Sequence, residues 1–233
     1  TLSSITLLVR KDVTTTFSPA ENGTYTVGDK TITESYTNTQ SSLESYAVKA
    51  TPANGYKFVG WYSKTDDSYL SIKVSETFNF DSDKELTAVF TQEDNLVFDV
   101  GNKKFYGLDE ATGYAVANKI EKVTLEQNGT PITGSHTIPS GVTLLIPFDD
   151  AHTLYKEVPV STQDGSTSKK NNAFRTLTLA EGATLNVEGG ISVGGRYKSA
   201  SGSYSGYMTG NYGLLSMESG STINVKNGGN LYA

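Results

Sequence analysis

Cysteine is absent from the 233 residues. Its absence excludes a disulfide framework, a thiolate metal site and a Cys nucleophile, and leaves the redox compartment unread. Histidine is almost absent: His136 and His152 stand alone, far apart in sequence. A zinc site takes at least three protein ligands, so both read as structural or exposed side chains, and no metal and no cofactor is expected. Apolar runs never approach the ~20 residues of a membrane helix, so no membrane span is expected in this chain. Thr1-Leu2-Ser3 begins no signal peptide. Positive charge is scarce, with 19 Lys and Arg against 25 Asp and Glu and a net charge of −6. The basic pairs Lys103-Lys104 and Lys169-Lys170 read as solvated turn residues. Phosphate backbones need clustered Lys and Arg, so no nucleic-acid partner is expected. Apolar residues are also few, at 36%, below the usual share. Thr, Ser, Gly, Asn and Tyr take their place, which is the composition of thin β architectures with much surface.

What is present is organised around Arg175 to Gly195, RTLTLAEGATLNVEGGISVGG. Three short strands follow one another there. Leu177 and Leu179, Leu185 and Val187, and Ile191 and Val193 each alternate with polar residues, so each pair shares a face. The joints are Glu181-Gly182 and Glu188-Gly189-Gly190, between strands too short for ordinary hairpins. A β-solenoid turns its corners in this way. Leu214 to Val225 repeats Thr178 to Val187 in type, and Ile138 to Ile146, IPSGVTLLI, reads as an earlier copy. Taking Gly141, Gly182 and Gly220 as equivalent gives steps of 41 and 38 residues. One coil takes about twenty residues, so each step holds a coil plus an insertion. The insertions are Ser161 to Asn172, read as a polar loop, and Tyr197 to Tyr212. The third copy is still running at Ala233, from which we expect excision from a longer parent. Leu179, Leu185, Val187, Ile138, Leu144, Ile146, Met217, Ile223 and Val225 are expected to point into one stacked core.

Residues 1–92 read as a separate β unit. Ile5, Leu7 and Val9, then Tyr25 and Val27, then Tyr46, Val48 and Ala50 show period-2 alternation. Thr51-Pro52-Ala53-Asn54-Gly55 predicts a tight hairpin onto Tyr56 to Tyr62. Tyr56, Phe58 and Gly60 share a face in that reading, and Gly60 lets the Trp61 indole pack close. Leu70, Ile72 and Val74 predict another strand, Asp81-Ser82-Asp83-Lys84 a turn, and Leu86, Ala88 and Phe90 a closing strand. Trp61 is expected to be buried with Phe58 or Tyr56 and the strand at Phe90.

NGYKFVGWYS, a spacer, then FNFDSDKELTAVF resembles the divergent internalin-B-type repeat of bacterial surface proteins. In that family Pro-x-x-Gly-Tyr-x-Phe-x-Gly-Trp is later closed by Leu-Thr-Ala-x-Phe. The resemblance covers the C-terminal half of the unit. Residues 1 to about 40 are looser, as the unit's own first strands or a lead-in. It implies a small β-rich module repeated along surface proteins as a spacer or adhesive element, without catalysis.

Residues 93–233 then open on a junction. Leu96 to Val100 and Lys104 to Tyr106 flank Gly101-Asn102-Lys103, a hairpin. A helix is predicted over Asp109 to Lys119, with Leu108, Ala111, Ala115 and Val116 on one face and Lys119 at the cation-favouring end. A strand resumes at Val123-Thr124-Leu125. Hairpin, short helix, strand and TIPSGVTLLIP together resemble the opening of right-handed β-helix proteins of the pectate-lyase-like class. In that class a short helix covers the end of the first coil, which implies the same here.

Candidate chemistry is thin. Asp149-Asp150 is the best acidic pair, yet adjacent strand residues point to opposite faces, and Asp164 completes no spaced calcium loop. His136, aligned with the inward Leu177, reads as a coil-end residue. Arg175 and Arg196 border loops and meet no carboxylate constellation of the kind pectate-lyase-like enzymes need. Gly189-Gly190 and Gly194-Gly195 precede no helix and are corners rather than a phosphate loop. Asn22-Gly23-Thr24 and Asn128-Gly129-Thr130 match the glycosylation triplet and read as exposed turns. Tyr197, Tyr204, Tyr207 and Tyr212, spaced by Ser and Gly, remain as candidate binding residues, because tyrosine gives large amphipathic contacts at small entropy cost. The opposing reading packs those tyrosines back on the coil.

The expected architecture is therefore all-β: a β-rich repeat module over 1–92, then a capped parallel β-solenoid, a right-handed β-helix, over 93–233. The expected function is non-enzymatic, an adhesin-like or spacer segment of a bacterial protein that is extracellular or at the cell surface. Its expected partner is a host glycan or an extracellular protein. The alternative is the N-terminal part of a carbohydrate-active β-helix enzyme, a polysaccharide lyase or hydrolase with its active site beyond this chain.

Overall fold

The computed structural model describes residues 11–147, 157–161, 167–171, 175–193 and 213–232. The expected strand at Ile5, Leu7 and Val9 lies outside them. The described chain is mostly β with one short helix. It divides into two compact units, Thr1–Glu93 and Asp94–Ala233.

In the first unit the strands are β1 (Asp12–Phe17), β2 (Gly23–Val27), β3 (Lys30–Thr31), β4 (Tyr36–Ser41), β5 (Tyr46–Pro52), β6 (Tyr56–Ser63), β7 (Ser68–Ser71), β8 (Ser75–Phe78) and β9 (Lys84–Gln92). They form a five-stranded sheet, β4-β1-β9-β6-β7, and a four-stranded sheet, β3-β2-β5-β8. Alternation buries Val13 and Phe17, Tyr46, Val48 and Ala50, and Leu86, Ala88 and Phe90 between the two sheets. Across that core Tyr25 of β2 meets Trp61 of β6 edge-on at 5.4 Å, and Phe17 of β1 meets Tyr46 of β5 at 5.0 Å.

Three expectations in this unit are corrected. Pro52 to Gly55 turns the chain but makes no hairpin: β5 pairs with β2 and β8, whereas β6 pairs with β9 and β7. The turn carries the chain from one sheet to the other, which a hairpin within one sheet would not do. Gly60 serves β7 rather than the indole, since a Cβ there would stand 2.7 Å from the Tyr69 ring and 2.9 Å from the Ser71 carbonyl oxygen. The strand expected over Leu70, Ile72 and Val74 stops at Ser71, and Leu70 and Val74 are exposed.

In the second unit β10 (Val97–Val100) and β11 (Lys103–Phe105) form the expected hairpin about Gly101 and Asn102, both at positive φ. Helix α1 (Leu108–Ala117) follows. Leu108, Ala111 and Ala115 are buried as expected, but Thr112 takes the fourth buried place and Val116 is exposed. The helix also ends before Lys119. Ile120 N–H donates to the Ala115 carbonyl and Lys119 N–H to the Val116 carbonyl, which closes the helix as a Schellman motif with Lys119 in the left-handed position.

The strands after the helix are β12 (Lys122–Gln127), β13 (Ser135–Ile138), β14 (Thr143–Ile146), β15 (Glu157–Ser161), β16 (Thr167–Asn171), β17 (Arg175–Leu179), β18 (Thr184–Val187), β19 (Gly190–Val193), β20 (Gly213–Met217), β21 (Thr222–Val225) and β22 (Asn230–Tyr232). The repeating strands pair in parallel: β13-β18-β21, β12-β14-β19-β22 and β17-β20. Ile132 bridges Leu179 in parallel as well. The register corrects the expected copies. Ile138 sits beside Val187, Leu144 beside Ile191, and His136 beside Leu185 rather than Leu177. IPSGVTLLI is thus the counterpart of VEGGISV, one strand later than its resemblance to TLTLAEGATLNV implied. Gly189 shows why that corner is glycine, since a Cβ there would lie 2.1 Å from the Val142 carbonyl oxygen of the layer beside it. The polar loop expected from Ser161 to Asn172 contains β16, which pairs antiparallel with β15.

Ile138, Leu144, Ile146, Leu179, Leu185 and Val187 are fully buried in one core with Phe98, Val123 and Leu125. Met217 and Val225 occupy the same register positions as Leu179 and Val187. They remain 47% and 48% exposed, because the described chain covers them on one side alone. Ile223 is partly buried against the core. Helix α1 packs against β10, β11, β12 and β13, where its buried residues join this core.

Candidate functional site

Tyr197, Tyr204, Tyr207 and Tyr212 lie outside the described residues, as do Asp149, Asp150, His152, Asp164 and Arg196. Trp61, the other aromatic with a claim on a sugar, is fully buried. Its Nε1–H donates to the Lys73 carbonyl at 2.9 Å, so it is core rather than a platform.

An open cleft of about 220 Å³ lies within the second unit. Leu96, Tyr106, Leu108, Pro131, Ile132 and His136 contribute to its wall. The start of α1 and the approach to β13 form it. His136 is held there: Nδ1 lies 3.0 Å from Asp109 Oδ2 and Nε2 lies 2.8 Å from the Thr133 carbonyl oxygen. Both ring nitrogens face oxygen, so the ring ties the helix to β13 and has no nitrogen left for a ligand. Among the described residues no group of three or more His, Asp or Glu side chains is placed to hold a metal ion.

A shielded charge cluster lies on the other side of β10, β11 and β12. Phe98, Val123 and Leu125 face the apolar core, so alternation puts Asp99, Lys104 and Thr124 on the opposite face. Asp99 and Lys104 are directly opposed across the hairpin. Lys104 Nζ donates to Asp99 Oδ2 at 2.8 Å and lies 2.7 Å from Glu126 Oε2. The second approach is too oblique for a well-directed hydrogen bond. Glu126 follows the inward Leu125, so alternation places it with Thr124 on that face, beside a register shift at which Phe98 opposes Leu125 and Val97 opposes Gln127. Arg175 completes the group, 7% exposed, with Nη1–H donating to the Leu125 carbonyl at 3.3 Å.

This cluster corrects one expectation: Lys104 is no solvated turn residue, since its side chain is 3% exposed. Arg175 is buried at the head of β17. Burial is the main cause that raises the Glu126 carboxyl above the ordinary range, and Asp99 adds to it, while Lys104 and Arg175 oppose it. The sequence held one weak signal, the Lys103-Lys104 pair. Period 2 turns Glu126 away from the core, but only the pairing of β10 with β11 and β12 brings it to Lys104. Asn128, half of a glycosylation triplet, is likewise not an exposed turn: its Oδ1 accepts from the Thr176 N–H at 2.7 Å.

No curated protein and no solved structure matches the chain. One family model does match, and it spans β1 to β9, so the strands before residue 41 belong to the same module as the aromatic half. Residues 13–94, about a third of the chain, are similar to the divergent InlB B-repeat domain.

Proposed function

We propose that the chain is a non-enzymatic segment of a bacterial cell-surface or secreted protein, with an adhesin-like or spacer role. The match of residues 13–94 to the divergent InlB B-repeat domain carries this reading, because modules of that kind belong to bacterial surface proteins. The second unit supports it. Its parallel ladders step through Leu144, Ile191 and Leu231 and through Ile138, Val187 and Val225. We take it as a capped right-handed β-helix, with α1 as the cap. Such a stack spans distance with nearest-neighbour contacts alone, which suits a spacer.

The contact surface in this proposal is the insertion between β19 and β20, with Tyr197, Tyr204, Tyr207 and Tyr212. A host glycan or an extracellular protein is its partner. Antibodies against the first unit should label intact cells of the parent bacterium, and labelling that requires lysis would contradict a surface role. On arrays of matrix proteins and glycans, deleting Tyr197 to Tyr212 should abolish binding with unchanged thermal stability. Binding that survives the deletion would remove the tyrosines from the account. Shortening of a polysaccharide by the full-length parent would favour a carbohydrate-active enzyme instead.

A further inference from the structure

We propose that Lys104 and Asp99 are joined by an intramolecular amide bond between Nζ and Cγ, and that Glu126 assists its formation. The reacting groups are already in contact. Lys104 Nζ lies 2.8 Å from Asp99 Oδ2, so it is at most one carbon–oxygen bond length further from Cγ. The hairpin fixes that approach, because Gly101 and Asn102 close it in two residues and the register sets Asp99 against Lys104. Two groups held this way react as though at very high local concentration. Lys104 is 3% exposed, Glu126 13% and Asp99 21%, so the amine is shielded from solvent while the Asp99 carboxylate is partly open to it.

The step needs no oxidant, reductant or cofactor. A proton passes from the Lys104 ammonium to the Asp99 carboxylate, leaving a neutral amine and a neutral acid. The nitrogen lone pair attacks Cγ. Glu126, whose Oε2 lies 2.7 Å from Nζ, takes a proton from the nitrogen and returns it to the departing hydroxyl. The Cγ–O bond breaks, the Nζ–Cγ bond forms, and one water leaves. Glu126 is suited to this because burial raises its carboxyl above the ordinary range, so it holds a proton more readily than a surface carboxylate does. The product also relieves the interior. A buried cation and a partly buried carboxylate disappear, and the cation in particular was costly to desolvate. Glu126 and Arg175 stay behind as the polar remainder.

Intact mass of the purified full-length chain under denaturing conditions tests this. The wild-type chain should be one water lighter than its sequence. Trypsin should fail to cut after Lys104, and a cut after Lys103 should leave the two fragments joined. Lys104→Arg and Asp99→Ala should each restore the full mass, and Glu126→Gln should leave most of the chain at full mass. A wild-type chain at full mass overturns the proposal and leaves an ionic cluster. A water loss that survives Lys104→Arg overturns it too, since dehydration of an aspartate to a cyclic imide would then be the cause. Complete bond formation in Glu126→Gln overturns the role given to Glu126. Should the variants fail to fold, the wild-type mass and digest decide the matter alone.

Discussion

Trp61 is the sole tryptophan, and it stands where the two sheets of the first unit meet. Phe58, Tyr25 and Phe78 surround it at 5.3, 5.4 and 6.2 Å between ring centroids. Truncation would leave a cavity among rigid rings and an unmatched carbonyl at Lys73. Trp61→Ala should therefore cost about 3–5 kcal/mol, read from urea unfolding followed by circular dichroism. A loss well under that would mean the core can collapse around the gap. Glycine gives a sharper contrast between two single sites. Gly60→Ala must push a methyl into the Tyr69 ring and the Ser71 carbonyl and should destabilise the first unit. Gly113 faces open space within α1, so Gly113→Ala should stabilise the second unit by roughly 0.5–1 kcal/mol. The burial of Trp61 was legible from aromatic spacing, because a large apolar ring beside alternating strands has few other places to go. The partner of Gly60 was not, because it lies on β7, which pairs with β6 only in three dimensions.

Strands were legible from period 2, but in the first unit their partners were not. Tyr46 to Ala50 and Tyr56 to Tyr62 both read as strands, and both are. A hairpin between them is the shortest connection, yet Phe58 and Trp61 face the same core only because β6 bulges between Phe58 and Gly60. An extra residue resets the alternation, so the sequence shows the wrong face until the pairing is known. Edge contacts of the first unit carry a second prediction. A hydrogen bond from Lys84 is the main cause lowering the Asp66 carboxyl, and one from Lys64 does the same for Glu85. Ser63 and Ser18 add to each. A carboxyl lowered in the folded state binds fewer protons than in the unfolded chain, so its contribution is present above the unfolded value and lost as pH falls through the folded one. Stability of the first unit should then decline on acidification through the carboxylate range, with Trp61 fluorescence as the reporter. Asp66→Asn with Glu85→Gln should flatten that decline, and an unchanged acid limb would place the titrating groups elsewhere.

At the scale of the whole second unit, the account rests on layers that repeat in register. Val187 and Val225 are partners in that register, one fully buried and the other 48% exposed. Val187→Ala should cost about 2 kcal/mol, and Val225→Ala less than about 1 kcal/mol. Equal costs would mean that something covers the third layer as fully as the second. The repeat of parallel strands was legible because Gly punctuates short alternating strands. Its register was not, because Ile138 to Ile146 matches two neighbouring stretches almost equally well and only the backbone approach at Gly189 chooses between them. The most direct measurement exploits the absence of cysteine. Asn186 and Asn224 are stacked partners, with Nδ2 of Asn224 3.3 Å from Oδ1 of Asn186. The double variant Asn186→Cys with Asn224→Cys should form a disulfide rapidly on mild oxidation. Thr184→Cys with Asn224→Cys, displaced along the strand, should react far more slowly. Parallel in-register stacking predicts that order, and equal rates, or faster closure of the displaced pair, would contradict it.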